Sequence, residues 1–141
     1  MKPKLILGVG LIALAVWGLN YQLSHAAEGR RRADTQTFMR LKLAWSQNIL
    51  EGLTLEKFDA VSKGAIRLRD MTASNAWFAI RQPDYMTSTT NFQKNVDALY
   101  LAAVDKNLDG ATEAYQQVMK RCVECHRLVR LEQRKSAVRE R

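Results

Sequence analysis

Cysteine, histidine and proline are scarce in this sequence. Its 141 residues include two of each. Beyond the first 26 residues, Pro83 is the only proline, and both cysteines and the one remaining histidine fall in the stretch RCVECHRLVR, residues 121–130. Residues 27–141 also lack sustained alternation of apolar and polar residues, so the sequence predicts no strands there. The two cysteines and the one histidine beyond residue 26 are therefore gathered at one point of a chain that has few prolines.

The first 26 residues, MKPKLILGVGLIALAVWGLNYQLSHA, have the layout of a secretory signal peptide. Two lysines come first, an apolar run over 5–19 follows, and small residues precede a predicted cut before Ala27. The run is short for a membrane span, which needs about 20 apolar residues. We predict a cleaved signal over 1–26 and a mature exported domain over 27–141. An uncleaved N-terminal membrane anchor is the alternative.

The mature chain is basic. Loss of the two lysines in the signal lowers the formal net charge from +8 to +6. An exported chain rarely meets nucleic acid, so we expect an acidic protein surface as its partner and no nucleic acid. The basic residues gather near both ends: Arg30, Arg31 and Arg32, and then Arg127, Arg130, Arg134, Lys135, Arg139 and Arg141.

Helical periodicity recurs four times in the mature part. It predicts helices over about 34–51, 55–73, 85–106 (alternatively from 88) and 110–134. Each carries one apolar stripe for a shared core. The stripes are Phe38, Leu41, Trp45 and Ile49; Phe58, Val61, Ala65 and Leu68; Phe92, Val96, Leu99 and Ala103; and Ala111, Tyr115, Val118, Cys122, Cys125 and Val129. Four helices with short connections predict an all-α, antiparallel four-helix bundle.

Three residues mark predicted helix ends. Gly52 is predicted to end the first helix as a C-terminal glycine. Thr54 is predicted to cap the second helix, and Asp109 is predicted to cap the fourth. With these ends, the predicted connections between the first and second helices and between the third and fourth helices are short.

The Cys-x-x-Cys-His motif of Cys122, Cys125 and His126 fits one chemistry better than three others. A disulfide would close a very small loop, which stabilises little and leaves the histidine without a role. A thioredoxin-like pair belongs at a helix start after a strand, and structural zinc needs a fourth ligand that nothing places. Haem attachment uses all three residues, because two cysteines on one helical face can form thioethers to one porphyrin edge. We predict one covalently attached haem c, with His126 as the proximal iron ligand.

An exported four-helix chain with one C-V-E-C-H motif near its C-terminus resembles the class II c-type cytochromes, the cytochrome c′ family. The resemblance covers about residues 32–132, and the phrases FMRLKLAWSQNILEGL and KNLDGATEAY also look like the family. It implies that the fourth helix carries the haem and that the first supplies the opposite, distal face. Members with a Met ligand there carry electrons, whereas members with an apolar residue bind NO or CO. Many relatives pair through their first two helices, so a homodimer is also implied.

Three residues of the first helix are candidates for the sixth, distal iron ligand. Met39 is preferred, and a thioether would raise the reduction potential. Core packing is the alternative role for Met39. Counting back from Gly52, as the family's first helix is spaced, gives Gln36 instead. Lys42 is the third candidate, with a solvent-exposed position as its alternative.

Other residues have two readings each. The aromatic side chains Trp45, Trp77, Phe92 and Tyr115 either wall the haem or pack in the core. Basic residues next to the motif, Arg121 and Arg130, either meet a haem propionate, as in the family, or lie at the surface.

These features together predict a periplasmic monohaem c-type cytochrome that transfers single electrons between redox partners. No second titratable group is paired with the motif, so nothing predicts an enzyme. One alternative is a five-coordinate haem protein that captures or senses NO or CO. Another is a haem subunit of a redox complex at the inner membrane, which requires an uncut N-terminal run.

Overall fold

The computed structural model describes residues 3–77 and 82–139, without the side chains of residues 3–15 and 75. Its elements are α1 (Pro3–Thr54), α2 (Phe58–Met71), a short 3-10 turn (Asn75–Trp77), α3 (Pro83–Val104) and α4 (Leu108–Arg139). No strand occurs in these ranges. The prediction of an all-α chain is confirmed, and the four helices are consistent with a four-helix bundle. Lys2 of the predicted signal and Arg141 of the basic tail lie outside the described residues.

The chain falls into two compact units, Met1–Phe38 and Met39–Arg141. In the first unit, the side chains of residues 19–37 are all exposed. Glu28 and Arg32 form an exposed ion pair there, with 3.1 Å between Oε1 and Nε. No helix among the described residues is both long and apolar enough to cross a membrane. The predicted cut before Ala27 falls inside α1 and stays a prediction.

The core of the second unit confirms most of the predicted stripes. The core residues of α2, α3 and α4 are Val61, Ala65, Leu68, Phe92, Val96, Leu99, Ala103, Ala111, Tyr115 and Val118, all 4% exposed or less. The predicted stripe of α1 is correct at Ile49, which is fully buried, and wrong at Leu41, which is 48% exposed. Lys42, which is not in the predicted stripe, is half-buried.

Two glycines bring α1 and α2 close together. A Cβ at Gly52 would stand 2.8 Å from Cγ2 of Val61. A Cβ at Gly64 would stand 2.5 Å from Cγ1 of Ile49. The prediction that Gly52 ends the first helix is wrong, because α1 continues to Thr54. Gly52 instead lacks a side chain where the second helix crosses it.

The α1–α2 and α3–α4 connections have the same backbone geometry. Each contains one non-glycine residue with positive φ, Glu56 at 51° and Lys106 at 52°. In each, the following N–H bonds back to a carbonyl five residues earlier: Lys57 to Gly52 at 2.7 Å, and Asn107 to Ala102 at 2.9 Å. These are Schellman motifs, which satisfy the last carbonyls of a helix. The same type of connection between helices therefore occurs twice, 50 residues apart in the sequence.

Both predicted caps are wrong. Thr54 belongs to α1 and donates its hydroxyl proton to the carbonyl of Glu51 at 2.9 Å. Asp109 lies inside the first turn of α4, where a carboxylate favours the positive end of the helix. The cap of α4 is Asn107, whose Oδ1 accepts the backbone N–H of Gly110 at 2.9 Å. The difference arises because α4 begins two residues before the predicted start.

Candidate haem-attachment site

The motif residues lie well inside α4. Helix α4 continues past His126 to Arg139, so the motif is not at a fraying end. Cys122 and Cys125 are one turn apart, are both partly buried, and are both free thiols. His126 is exposed. The predicted disulfide alternative is absent from this structure, and the three chemically distinctive side chains occupy adjacent positions on one helix.

A groove of about 350 Å³ opens beside the motif. Four of its lining residues are on α4: Tyr115, Met119, Cys122 and His126. Six are on α1: Met39, Lys42, Leu43, Ser46, Gln47 and Leu50. Leu68 of α2 and Phe92 of α3 complete the lining. The volume lies within the range of about 300–1,000 Å³ typical of small-molecule and cofactor sites.

The two thiols have different neighbours. Cys122 lines the groove with α1. The Sγ of Cys125 donates to Oγ of Ser88 on α3, at 3.4 Å. Ser88 is only 7% exposed. The Cys122 thiol therefore lies at the groove, whereas the Cys125 thiol contacts α3.

A hydrogen-bonded contact between α1 and α4 forms one part of the groove wall. The Tyr115 hydroxyl donates its proton to the Ser46 carbonyl at 2.8 Å. The hydroxyl has no second proton, so the 2.9 Å contact to Ser46 Oγ has the serine as donor. Tyr115 is 4% exposed. This pair fixes the spacing of the two helices that contribute most of the lining.

Lys42 enters the groove. Its Nζ lies 3.8 Å from the ring centroid of Trp77 and 5.6 Å from that of Phe92. The sequence alternative of a solvent-exposed Lys42 is wrong, because the side chain is half-buried. Burial lowers the pKa of Lys42, and the nearby thiols of Cys122 and Cys125 oppose that shift.

Partial desolvation also changes the pKa of Cys122 and the pKa of His126. Desolvation raises the pKa of the Cys122 thiol, with the Lys42 ammonium opposing the change. Desolvation lowers the pKa of His126, and the positive charges of Lys42 and Arg130 add to that effect. The neutral forms of both side chains are favoured. Neutral imidazole is the form that binds iron.

The other two candidates for the distal ligand, Met39 and Gln36, differ in burial and in whether they line the groove. Met39 is half-buried and lines the groove. Gln36 belongs to the first unit and is exposed. Among the three candidates, the groove of the second unit therefore contains Met39 and Lys42.

The predicted aromatic walls divide into two groups. Phe92 and Tyr115 line the groove, and Trp77 lies under Lys42 at 2% exposure. Trp45 lines a different surface groove, where the guanidinium carbon of Arg67 lies 5.9 Å from its ring centroid. Trp45 is therefore not part of the candidate site.

The two arginines next to the motif also differ. Arg121 is partly buried and its Nη1 lies 2.6 Å from Oε2 of Glu124. The Nε of Arg121 is buried without a hydrogen-bond partner. Arg130 is exposed. The buried Nε of Arg121 therefore carries a desolvation cost that no hydrogen bond offsets.

Sequence reasoning did not foresee the contact of Lys42 with Trp77 or the Ser46–Tyr115 pair. One signal was available for Lys42. It lies three and four residues before Trp45 and Ser46 and seven before the buried Ile49, a spacing that shares one helical face. The predicted stripe is defined by apolar residues alone, so it does not include the polar residues Lys42 and Ser46 on the same face.

Within residues 3–77 and 82–139, no three His, Cys, Asp or Glu side chains converge to hold a bare metal ion. The motif instead offers the Cys122 thiol and the His126 imidazole at an apolar groove, with the free Cys125 thiol one helical turn from Cys122. Thiols in this arrangement suit thioether formation, and the imidazole suits an iron ligand. Comparison of the chain with protein-family profiles, curated proteins and solved structures finds no match.

Proposed function

We propose that this chain is an exported monohaem c-type cytochrome of the class II, cytochrome c′ kind. The observation that carries the proposal is the Cys-x-x-Cys-His motif in the middle of α4, with both thiols free and Cys122 and His126 lining an apolar groove. Cys122 and Cys125 would hold the haem covalently, and His126 would supply the proximal nitrogen. The bound haem would supply a one-electron couple.

Electron transfer is the function that we favour over gas binding. Two side chains that can bind iron, the Met39 thioether and the Lys42 amine, lie on α1 within the same groove as His126. A sixth ligand from α1 would leave no open position for NO or CO. The basic balance of the chain favours brief docking to an acidic redox partner, for which small, transient interfaces are usual. Periplasmic location follows from the predicted signal and from haem attachment after export.

The test begins with the wild-type chain made in a host that matures c-type cytochromes. We expect a protein whose mass is increased by one haem and whose haem stays bound in denaturant. The matched control is the Cys122→Ala, Cys125→Ala double variant, because the chain has only these two cysteines. A wild-type protein without covalent haem would overturn the proposal and favour a disulfide or free-thiol role.

The spectrum then separates electron transfer from gas binding. Electron transfer requires a low-spin, six-coordinate spectrum in both oxidation states. A high-spin ferrous protein that binds CO at once would move the gas-binding function to first place. Sequencing of the mature N-terminus tests export, and we expect it to begin at Ala27.

A further inference from the structure

Lys42 occupies an unusual position for a lysine. Its ammonium is held over a buried indole within a groove that is otherwise mostly apolar. Lysines at helix surfaces ordinarily extend the charged group into water. Here the side chain turns inward, towards the face on which α4 presents Cys122 and His126.

The indole under Lys42 is fixed. Nε1 of Trp77 donates to Oγ1 of Thr89 at 2.9 Å, and the Tyr85 hydroxyl donates to the Trp77 carbonyl. Thr89 in turn donates to the Tyr85 carbonyl at 2.9 Å. Trp77, Tyr85 and Thr89 are each at most 4% exposed. The surface against which Lys42 lies is therefore a rigid part of the fold.

Among the described residues, no carboxylate forms an ion pair with Lys42. The four ion pairs found among the described residues are Glu28–Arg32, Arg69–Asp97, Arg121–Glu124 and Glu132–Lys135. A partly buried ammonium without a carboxylate is unfavourable, and contact with aromatic faces offsets only part of that cost. Packing alone does not explain the residue, because an apolar side chain of similar length would pack there without the penalty.

We propose that Lys42 would supply Nζ as the second protein ligand, besides His126, to the iron of a haem bound in this groove. The inference rests on the proposed function. With haem bound, Lys42 would bind as the neutral amine, having released one proton from Nζ to solvent, and the oxidation state of the iron would not change. The neutral amine is the form that binds metal. Desolvation, which lowers the pKa of Lys42, acts in the same direction.

Met39 is the competing candidate for the iron ligand. Its position in the groove requires no functional reason, because its side chain is uncharged. It is one turn away on α1 and lines the same groove. A flexible thioether packs readily in an apolar groove without any further role. The assignment to Lys42 therefore reverses the preference for Met39 that the sequence alone supports.

The test uses the full chain, matured with haem, and three variants. Lys42→Arg keeps the positive charge but removes a group that can lose its proton. Lys42→Ala removes charge and ligand together, and Met39→Leu removes the thioether while keeping its volume. Haem content by the pyridine haemochrome method is measured first on every protein, followed by ferric electron paramagnetic resonance and near-infrared absorption.

We expect the wild type and Met39→Leu to be low-spin and to lack the sulfur-to-iron charge-transfer band of a methionine ligand. We expect both Lys42 variants to keep covalent haem and helicity but lose the low-spin signal. A low-spin signal that survives in Lys42→Arg, or that disappears in Met39→Leu, would overturn the assignment while leaving the cytochrome function intact. A wild type with covalent haem but high-spin iron would do the same. A wild type without covalent haem would overturn both.

Discussion

Gly64 and Ile49 touch across the α1–α2 contact so closely that a Cβ on the glycine would meet Cγ1 of the isoleucine at 2.5 Å. Ile49 is fully buried and cannot move into solvent. We expect Gly64→Ala to lower the free energy of unfolding, because overpacking costs about 1–3 kcal/mol. The helix propensity of alanine recovers up to about 1 kcal/mol. Urea denaturation followed by circular dichroism measures the net change.

A double-mutant cycle with Ile49→Ala identifies the cause. Removing the isoleucine alone costs about 2–5 kcal/mol through the cavity that it leaves. The double variant should be less destabilised than the sum of the two single variants, because the added methyl group fills part of that cavity. Strictly additive losses would mean that the two residues do not collide.

The Ser46–Tyr115 contact predicts a graded effect. Tyr115→Phe removes both hydrogen bonds between α1 and α4 and should cost about 1–2 kcal/mol of stability. Ser46→Ala removes only one, because the tyrosine still donates to the backbone carbonyl of residue 46. Thermal unfolding of the two variants should therefore rank Tyr115→Phe as the less stable. The reverse order would mean that Tyr115 does not make both hydrogen bonds to residue 46.

Mutations at the start of α4 distinguish the cap seen in the structure, Asn107, from the cap predicted from the sequence, Asp109. Asn107→Ala should lower stability by about 1 kcal/mol, because it removes the acceptor for the Gly110 N–H. Asp109→Ala should cost only a few tenths of a kcal/mol, since its carboxylate interacts with the helix end but accepts no capping bond. Asn107→Asp should retain most of the stability. Equal losses at positions 107 and 109 would favour the sequence-based cap.

The pH dependence of Lys42 can be measured in reduced protein made without haem. The folded-state pKa of Lys42 is lowered from its ordinary 10.5 by burial, so below that lowered pKa the folded state carries a desolvated charge. As pH rises from the folded-state pKa towards 10.5, the folded state binds fewer protons than the unfolded state, and stability increases. Lys42→Met lacks this increase.

The quantity to measure is therefore the difference in free energy of unfolding between the wild type and Lys42→Met at each pH. We expect Lys42→Met to be more stable than the wild type at neutral pH and the gap to shrink in alkaline solution. Subtracting the curves cancels most of the opposite trend from Cys122, whose raised pKa lowers stability above its ordinary 9.0. A gap that is constant from pH 7 to pH 10 would show that the Lys42 charge is not desolvated.

Apolar periodicity predicted the helices, because core burial dominates the stripes of α2, α3 and α4. It failed at Leu41 and Lys42, where the inward face of α1 carries a charged residue. It also failed at Gly52, since a glycine near a helix end and a glycine at a helix crossing look alike in sequence. The groove next to Cys122 depends on which side chains of separate helices meet, and spacing within one helix carries no such information.

The repeated Schellman turn at Glu56 and Lys106 has a consequence for how the chain folds. Each turn joins helices that are neighbours along the chain, so two hairpins can form from contacts of short sequence separation. Chains dominated by such contacts have low contact order and fold on the microsecond-to-millisecond timescale. The second hairpin, Pro83–Arg139, carries the complete Cys-x-x-Cys-His motif, so both thiols and their α3 neighbour Ser88 belong to one continuous stretch of chain.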